Sequence, residues 1–181
     1  MNAIDRNTPT GKRDYAVILL GTVTGLRAID ISKLKLTDID WCNGEIQIVQ
    51  EKTRKPLKLP LTKGVGESVQ DYILNSRPMC DVENVFLRVN APIKEFACGS
   101  GISNIYESAR KKAGLPHGTF HALRRAVGRN MVTSGVSVST VAQVLGHTNI
   151  DSTKQYISLD SNHLKECALD FVGIAPERSG T

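Results

Sequence analysis

The sequence predicts an α+β fold, mostly α with a small antiparallel β-hairpin sheet on one side. Three observations lead there. Long segments carry apolar residues at helical spacing, and several end on a glycine, as at Gly25, Gly114, Gly135 and Gly146. One pair of segments, 45–50 (EIQIVQ) and 56–61 (PLKLPL), alternates with period two and is joined by the short basic link EKTRK. No internal repeat, low-complexity tract or evident interdomain linker divides the 181 residues, so a single domain is expected over 1–181.

Taken in order, residues 13–25 (RDYAVILLGTVTG) are too long and too apolar for an ordinary strand and read as a buried helix stopped by Gly25. Residues 26–40 continue as a second helix and then a turn, with Leu26, Ile29 and Leu34 apolar. In the hairpin, Leu57, Leu59 and Leu61 share one face, which should pack on the helices, and Pro56 and Pro60 place that strand at a sheet edge. A helix follows over 61–77 after a Thr cap, and 84–90 reads as a short strand or extended segment. Three further helices are expected at 100–115, 119–135 and 137–146, the last with a Ser cap. Short helices are expected again at 149–158 and 161–173. The opening, MNAIDRNTPTG, reads as the last turn of a helix begun earlier, so the chain is expected to be a C-terminal fragment of a longer protein.

Composition narrows the function. With 40% hydrophobic and 23% charged residues the chain is globular rather than disordered. It contains no apolar run of membrane-spanning length, so no membrane partner is expected. Cys42, Cys80, Cys98 and Cys167 are widely spaced and form no CxxC, which argues against zinc and for a reducing cytoplasm. The net charge is +5. Its distribution says more: from Arg110 to Ile150 there is no Asp or Glu, while Arg110, Lys111, Lys112, Arg124, Arg125 and Arg129 fall within that stretch. A long one-sign surface is suited to an anion such as nucleic acid.

Four pieces carry chemistry in combination. His121 and Arg124 lie three apart on one helix face, and so do Arg27 and Asp30, a spacing that lets the carboxylate orient the guanidinium. The hairpin tip offers Lys52, Arg54 and Lys55. His147 follows a helix-ending glycine, and Tyr156 lies nine residues further on. Each piece alone reads as easily as a solvated face, a surface ion pair or a soluble strand edge. Together they are what a tyrosine needs to attack a phosphodiester without a metal. Guanidinium groups suit the nonbridging oxygens. Phenol, with a pKa near 10, needs a base or a cationic site to ionise. The remaining tyrosines, Tyr15, Tyr72 and Tyr106, fall in helices where core or rim roles are expected.

In this order, TGLRAID, a hairpin lysine, HALRR and LGHTNIDSTKQY closely resemble the tyrosine recombinase (phage integrase) family over roughly residues 14 to 160. The resemblance implies a catalytic set of Arg27, Lys52, His121, Arg124, His147 and Tyr156, with Asp30 in support. Tyr156 would form a 3′-phosphotyrosyl link and Lys52 would protonate the leaving 5′-oxygen, with Lys55 the competing position. His121 would serve as general base, Arg27 and Arg124 would clamp the phosphate, and His147 would contact it. No cofactor or metal is implied. Arg54, Lys55, Arg110, Lys111, Lys112, Arg125 and Arg129 are expected on the DNA backbone. The implied partners are double-stranded DNA and, in the full-length protein, three further copies in a tetramer, with the last helix docked in cis or in trans. A type IB topoisomerase, a catalytically silent DNA-binding regulator of the same fold and a metal-dependent nuclease are the competing readings.

Overall fold

The computed structural model of the chain describes residues 3–146. The helices expected at 149–158 and 161–173 lie outside them, as do His147 and Tyr156. The first helix, α1 (Pro9–Thr24), is the centre of the fold. It starts where Thr8 accepts a hydrogen bond from the Gly11 N–H and Pro9 takes a first-turn position that asks for no donor. Residues 3–8 are turns and bends leading into that cap. Ala16, Val17 and Leu20 are completely buried. Helices α3 (Lys63–Asn75), α4 (Gly99–Lys112) and α5 (His121–Thr133) pack around α1.

At the end of α1 the chain turns on Gly25, whose φ of +65° is left-handed and whose N–H returns to the Gly21 carbonyl. A side chain there would be strained, and its Cβ would fall 2.9 Å from Leu145 Cδ2. Helix α2 is only Ala28–Lys33, shorter than the sequence led us to expect. The chain beyond it is drawn into long-range pairing. The Leu34 carbonyl accepts the Val85 N–H at 2.8 Å, and the Leu36 N–H donates to the Glu83 carbonyl at 2.9 Å. These bonds compete with continuing the helix and win because Val85, Phe86 and Leu87 are then fully buried. A 3-10 turn, Leu36–Asp38, follows.

The sheet has three antiparallel strands in the order β1 (Ile39–Asp40), β2 (Glu45–Val49) and β3 (Pro56–Pro60). The hairpin and its edge prolines are as expected, with Ile46 opposite Leu59 and Ile48 opposite Leu57. The two-residue β1 is too short to show alternation and was not anticipated. Ile46, Ile48 and Leu59 join the main core, with Leu57 and Leu61 packed against it. Tyr72 is buried, stacks on Phe86 at 5.7 Å and accepts the Leu87 N–H, so it is a core residue. Tyr106 meets Phe120 edge to face, and Tyr15 lies under Arg6.

A second small core, Val132, Val141 and Leu145, joins α5 to α6 (Val138–Leu145). Ser137 caps α6 by accepting the Thr140 N–H, and Gly146 ends it with φ +61°. Among the described residues, no helix is long and apolar enough to cross a membrane. The described cysteines, Cys42, Cys80 and Cys98, are free and exposed.

Candidate active site

One cleft of about 390 Å³ opens where the start of α2, the hairpin tip, the start of α4 and the start of α5 converge. Arg27, Lys52, His121 and Arg124 all line it. These residues lie up to 97 positions apart, and local structure explains how each arrives. Gly25 turns the chain sharply, so Arg27 stands as the extended residue preceding α2. His121 opens α5, and Arg124 follows one turn later on the same side. Apolar Leu26, Ala28, Ile29 and Phe120 and small Gly99, Ser103 and Thr119 also line it. Small residues near a helix start carry no distinctive sequence pattern, so Gly99, Ser103 and Thr119 were not among the expected site residues.

Both arginines are held by backbone carbonyls at the end of α6. Arg27 Nη2 donates to the Gly146 carbonyl at 3.1 Å. Arg124, 2% exposed, donates through Nη1 to the Gly25 carbonyl at 2.9 Å and through Nη2 to the Leu145 carbonyl. The last carbonyls of a helix have no intrahelical donor and carry partial negative charge, so two cations satisfy them well. The guanidiniums are therefore fixed before any anion arrives.

Asp30 has two tasks. Its carboxylate is fully buried and lies 3.8 Å from Arg27 Nη1, an ion pair without a hydrogen bond. Its Oδ1 accepts the Glu51 N–H at 2.8 Å. The same side chain thus orients Arg27 and tethers the hairpin tip beside it. This tether brings Lys52 to the cleft. Lys55 does not line it; its carbonyl instead accepts the Gln50 N–H at 2.9 Å.

His121 stands exposed at the cleft, yet its pKa is lowered. Partial burial disfavours the imidazolium first, and the positive charges of Arg124, Arg125, Arg27 and Lys52 add to that. The neutral imidazole, with a lone pair able to accept a proton, is the favoured form near neutral pH.

The basic residues outside the cleft divide. Arg125 and Arg129 are exposed on α5. Lys111 and Lys112 close α4, about 20 Å along the helix axis from the Gly99 end that lines the cleft. Arg110 was expected on DNA, but its side chain is only 9% exposed and bonds Glu107 at 2.7 Å and the Leu115 carbonyl. The acid-free stretch begins at Arg110, so a run-based reading missed Glu107, one helical turn earlier. Those hydrogen bonds hold the Glu107 carboxyl down at about 2. Arg54 adopts a left-handed φ of +54° and pairs with Glu51 at 3.1 Å, which offsets its charge at the hairpin tip. Among the described residues, no group of three His, Cys, Asp or Glu could hold a metal ion.

Comparison with known proteins identifies the family. A model of the phage integrase family matches residues 1–163. The chain belongs to the phage integrase family. Among curated members, the putative integrase/recombinase y4rA of Sinorhizobium fredii is 37% identical over 97% of this chain and 43% of its own length. The tyrosine recombinase XerC of Staphylococcus haemolyticus is 25% identical over 92% of this chain and 56% of its own. The chain thus spans about half the length of these integrase relatives. The fold is that of solved tyrosine recombinases. The XerH site-specific recombinase bound to difH substrate superposes with a TM-score of 0.74 at 23% identity, covering 92% of this chain and 49% of that one.

Proposed function

We propose that this chain carries the cutting and rejoining chemistry of a site-specific DNA recombinase. The observation that carries the reading is the convergence of Arg27, Lys52, His121 and Arg124 on one cleft. In this reading the Tyr156 phenol oxygen attacks a phosphodiester phosphorus of double-stranded DNA and its proton passes to neutral His121. Arg27, Arg124 and His147 hold the nonbridging oxygens as charge gathers on them. The P–O5′ bond breaks, and the leaving 5′-oxygen takes a proton from Lys52. The product is a 3′-phosphotyrosyl link and a free 5′-hydroxyl. A 5′-hydroxyl from another duplex reverses the sequence, which exchanges strands. The bond energy stays in the phosphotyrosyl ester, so neither ATP nor a metal is required.

Exposed Arg125, Arg129, Lys55, Lys111 and Lys112 support backbone binding in this scheme, and Arg54 does so less because Glu51 offsets it. The assembly on DNA is a tetramer of the full-length protein, with the segment after Asp160 docked on a neighbouring copy. A nicked suicide duplex tests the chemistry. Wild-type chain is expected to leave a protein–DNA adduct on a denaturing gel, resistant to EDTA. Tyr156→Phe is expected to abolish the adduct and keep native binding. An adduct persisting in that variant would remove Tyr156 as the nucleophile.

A further inference from the structure

Gln50 continues the inward row of β2: Ile46 and Ile48 face the core, and two residues on, Gln50 faces inward as well. It is completely buried. A primary amide in an apolar row costs stability unless its polar atoms are paired. Its Oε1 accepts the Thr53 hydroxyl at 2.8 Å, while its Nε2 makes no hydrogen bond. Half of the amide is therefore buried at a cost that the core does not explain.

The surroundings of that amide suggest a purpose. On one side Gln50 closes the loop that carries Lys52. Its N–H donates to the Lys55 carbonyl at 2.9 Å, its carbonyl accepts the Arg54 N–H at 2.8 Å, and its side chain holds Thr53. On the other side the amide lies against Gly146. A Cβ at Gly146 would fall 2.1 Å from Gln50 Oε1 and 2.6 Å from Nε2, so only glycine leaves room. The Gly146 carbonyl in turn accepts Arg27, and Arg27 faces Asp30, which holds the Glu51 N–H. These interactions form a closed ring through α2, the hairpin and the end of α6, and Gln50 is where the hairpin meets α6.

We propose that Gln50 is a positioning residue that clamps the Lys52 loop onto the Gly146 turn and so holds the Lys52 ammonium at the cleft. The inference rests on the proposed role of Lys52 as proton donor to the leaving 5′-oxygen. Gln50 touches no reacting atom and acts through Lys52.

The test uses the whole 181-residue chain and two suicide duplexes, one with the natural 5′-bridging oxygen and one with sulfur in its place. A thiolate leaves without a proton, so sulfur bypasses the need for Lys52. Gln50→Met keeps the volume and removes the amide. It is expected to slow cleavage of the oxygen duplex about 100-fold, the scale of a misplaced catalytic group, and to cleave the sulfur duplex near the wild-type rate. Lys52→Ala is the control. If sulfur fails to rescue Lys52→Ala, the role of Lys52 is wrong. If sulfur rescues Lys52→Ala but not Gln50→Met, the clamp is wrong. Hydrogen exchange supplies a readout that needs no turnover. In Gln50→Met the amides of Thr53–Lys55 and of Gly146 are expected to exchange faster together, and faster exchange in the hairpin alone would overturn the coupling.

Discussion

Arg27 and Arg124 face the same cleft but hold different loads. Arg124 satisfies the carbonyls of Gly25 and Leu145, both in buried residues. Removing it leaves those acceptors short of a donor in the interior, at about 1–3 kcal/mol. Arg27 is 16% exposed and holds the single carbonyl of Gly146. Each truncation to Ala is expected to cost about 3–4 kcal/mol of transition-state stabilisation, seen as a fall in single-turnover cleavage. Both truncations are expected also to lower the urea midpoint, Arg124→Ala by leaving two buried carbonyls short of a donor and Arg27→Ala by leaving the buried Asp30 carboxylate without its cation, and an unchanged midpoint in either variant would contradict these roles. His121 makes a pH prediction. Its folded pKa lies below the usual 6.5, so the folded state binds the proton less readily than the unfolded one. Its contribution to stability is therefore complete above pH 6.5 and is lost as pH falls through the folded value. If His121 takes the phenol proton, the acid limb of the second-order cleavage rate falls below pH 6.5 and disappears in His121→Gln.

At the scale of elements, the hairpin is the part that the sequence described best and the part whose chemistry it left open. Period-two alternation showed the strands because one face of each is buried, and Pro56 and Pro60 marked the edge because neither can donate to a further strand. Alternation does not say which of Lys52 and Lys55 turns toward Arg27. The Asp30 bond to the Glu51 N–H decides that, and it spans 21 residues. Lys52→Ala is expected to lower cleavage of the oxygen duplex by about 100-fold or more, the range of a general acid, with Lys55→Ala near wild type. The reverse order would reassign the proton donor. The shortness of α2 has a similar origin. Helical periodicity continued past Lys33, but pairing of Leu34 and Leu36 with residues 83–85 replaced it.

For the whole molecule, net charge and charge placement make separate predictions. A net charge of +5 favours a polyanion, and affinity for duplex DNA is expected to fall steeply with salt. Removing Arg125 and Arg129 together should reduce the log–log salt slope by about 0.9 for each phosphate that is no longer neutralised. Arg110→Ala should leave the slope unchanged and lower thermal stability instead, because that guanidinium is spent on Glu107 and Leu115. Filter binding between low and moderate salt, with a melting curve for each variant, separates the two effects.

The sequence by itself determined the helical class, the hairpin, the caps at Gly25 and Gly146 and the family. These depend on short-range periodicity, turn chemistry and the order of a few residues along the chain. Only the tertiary structure decided that Arg27, Lys52, His121 and Arg124 share a cleft, that Arg110 turns inward and that Gln50 joins the hairpin to α6. For the cleft and for Gln50 the physical reason is shared: each depends on which backbone carbonyl, carboxylate or glycine a side chain meets from a distant part of the chain, and long-range packing sets that choice. Arg110 turns in on local partners, Glu107 and the Leu115 carbonyl, which a count of charge along the chain does not weigh.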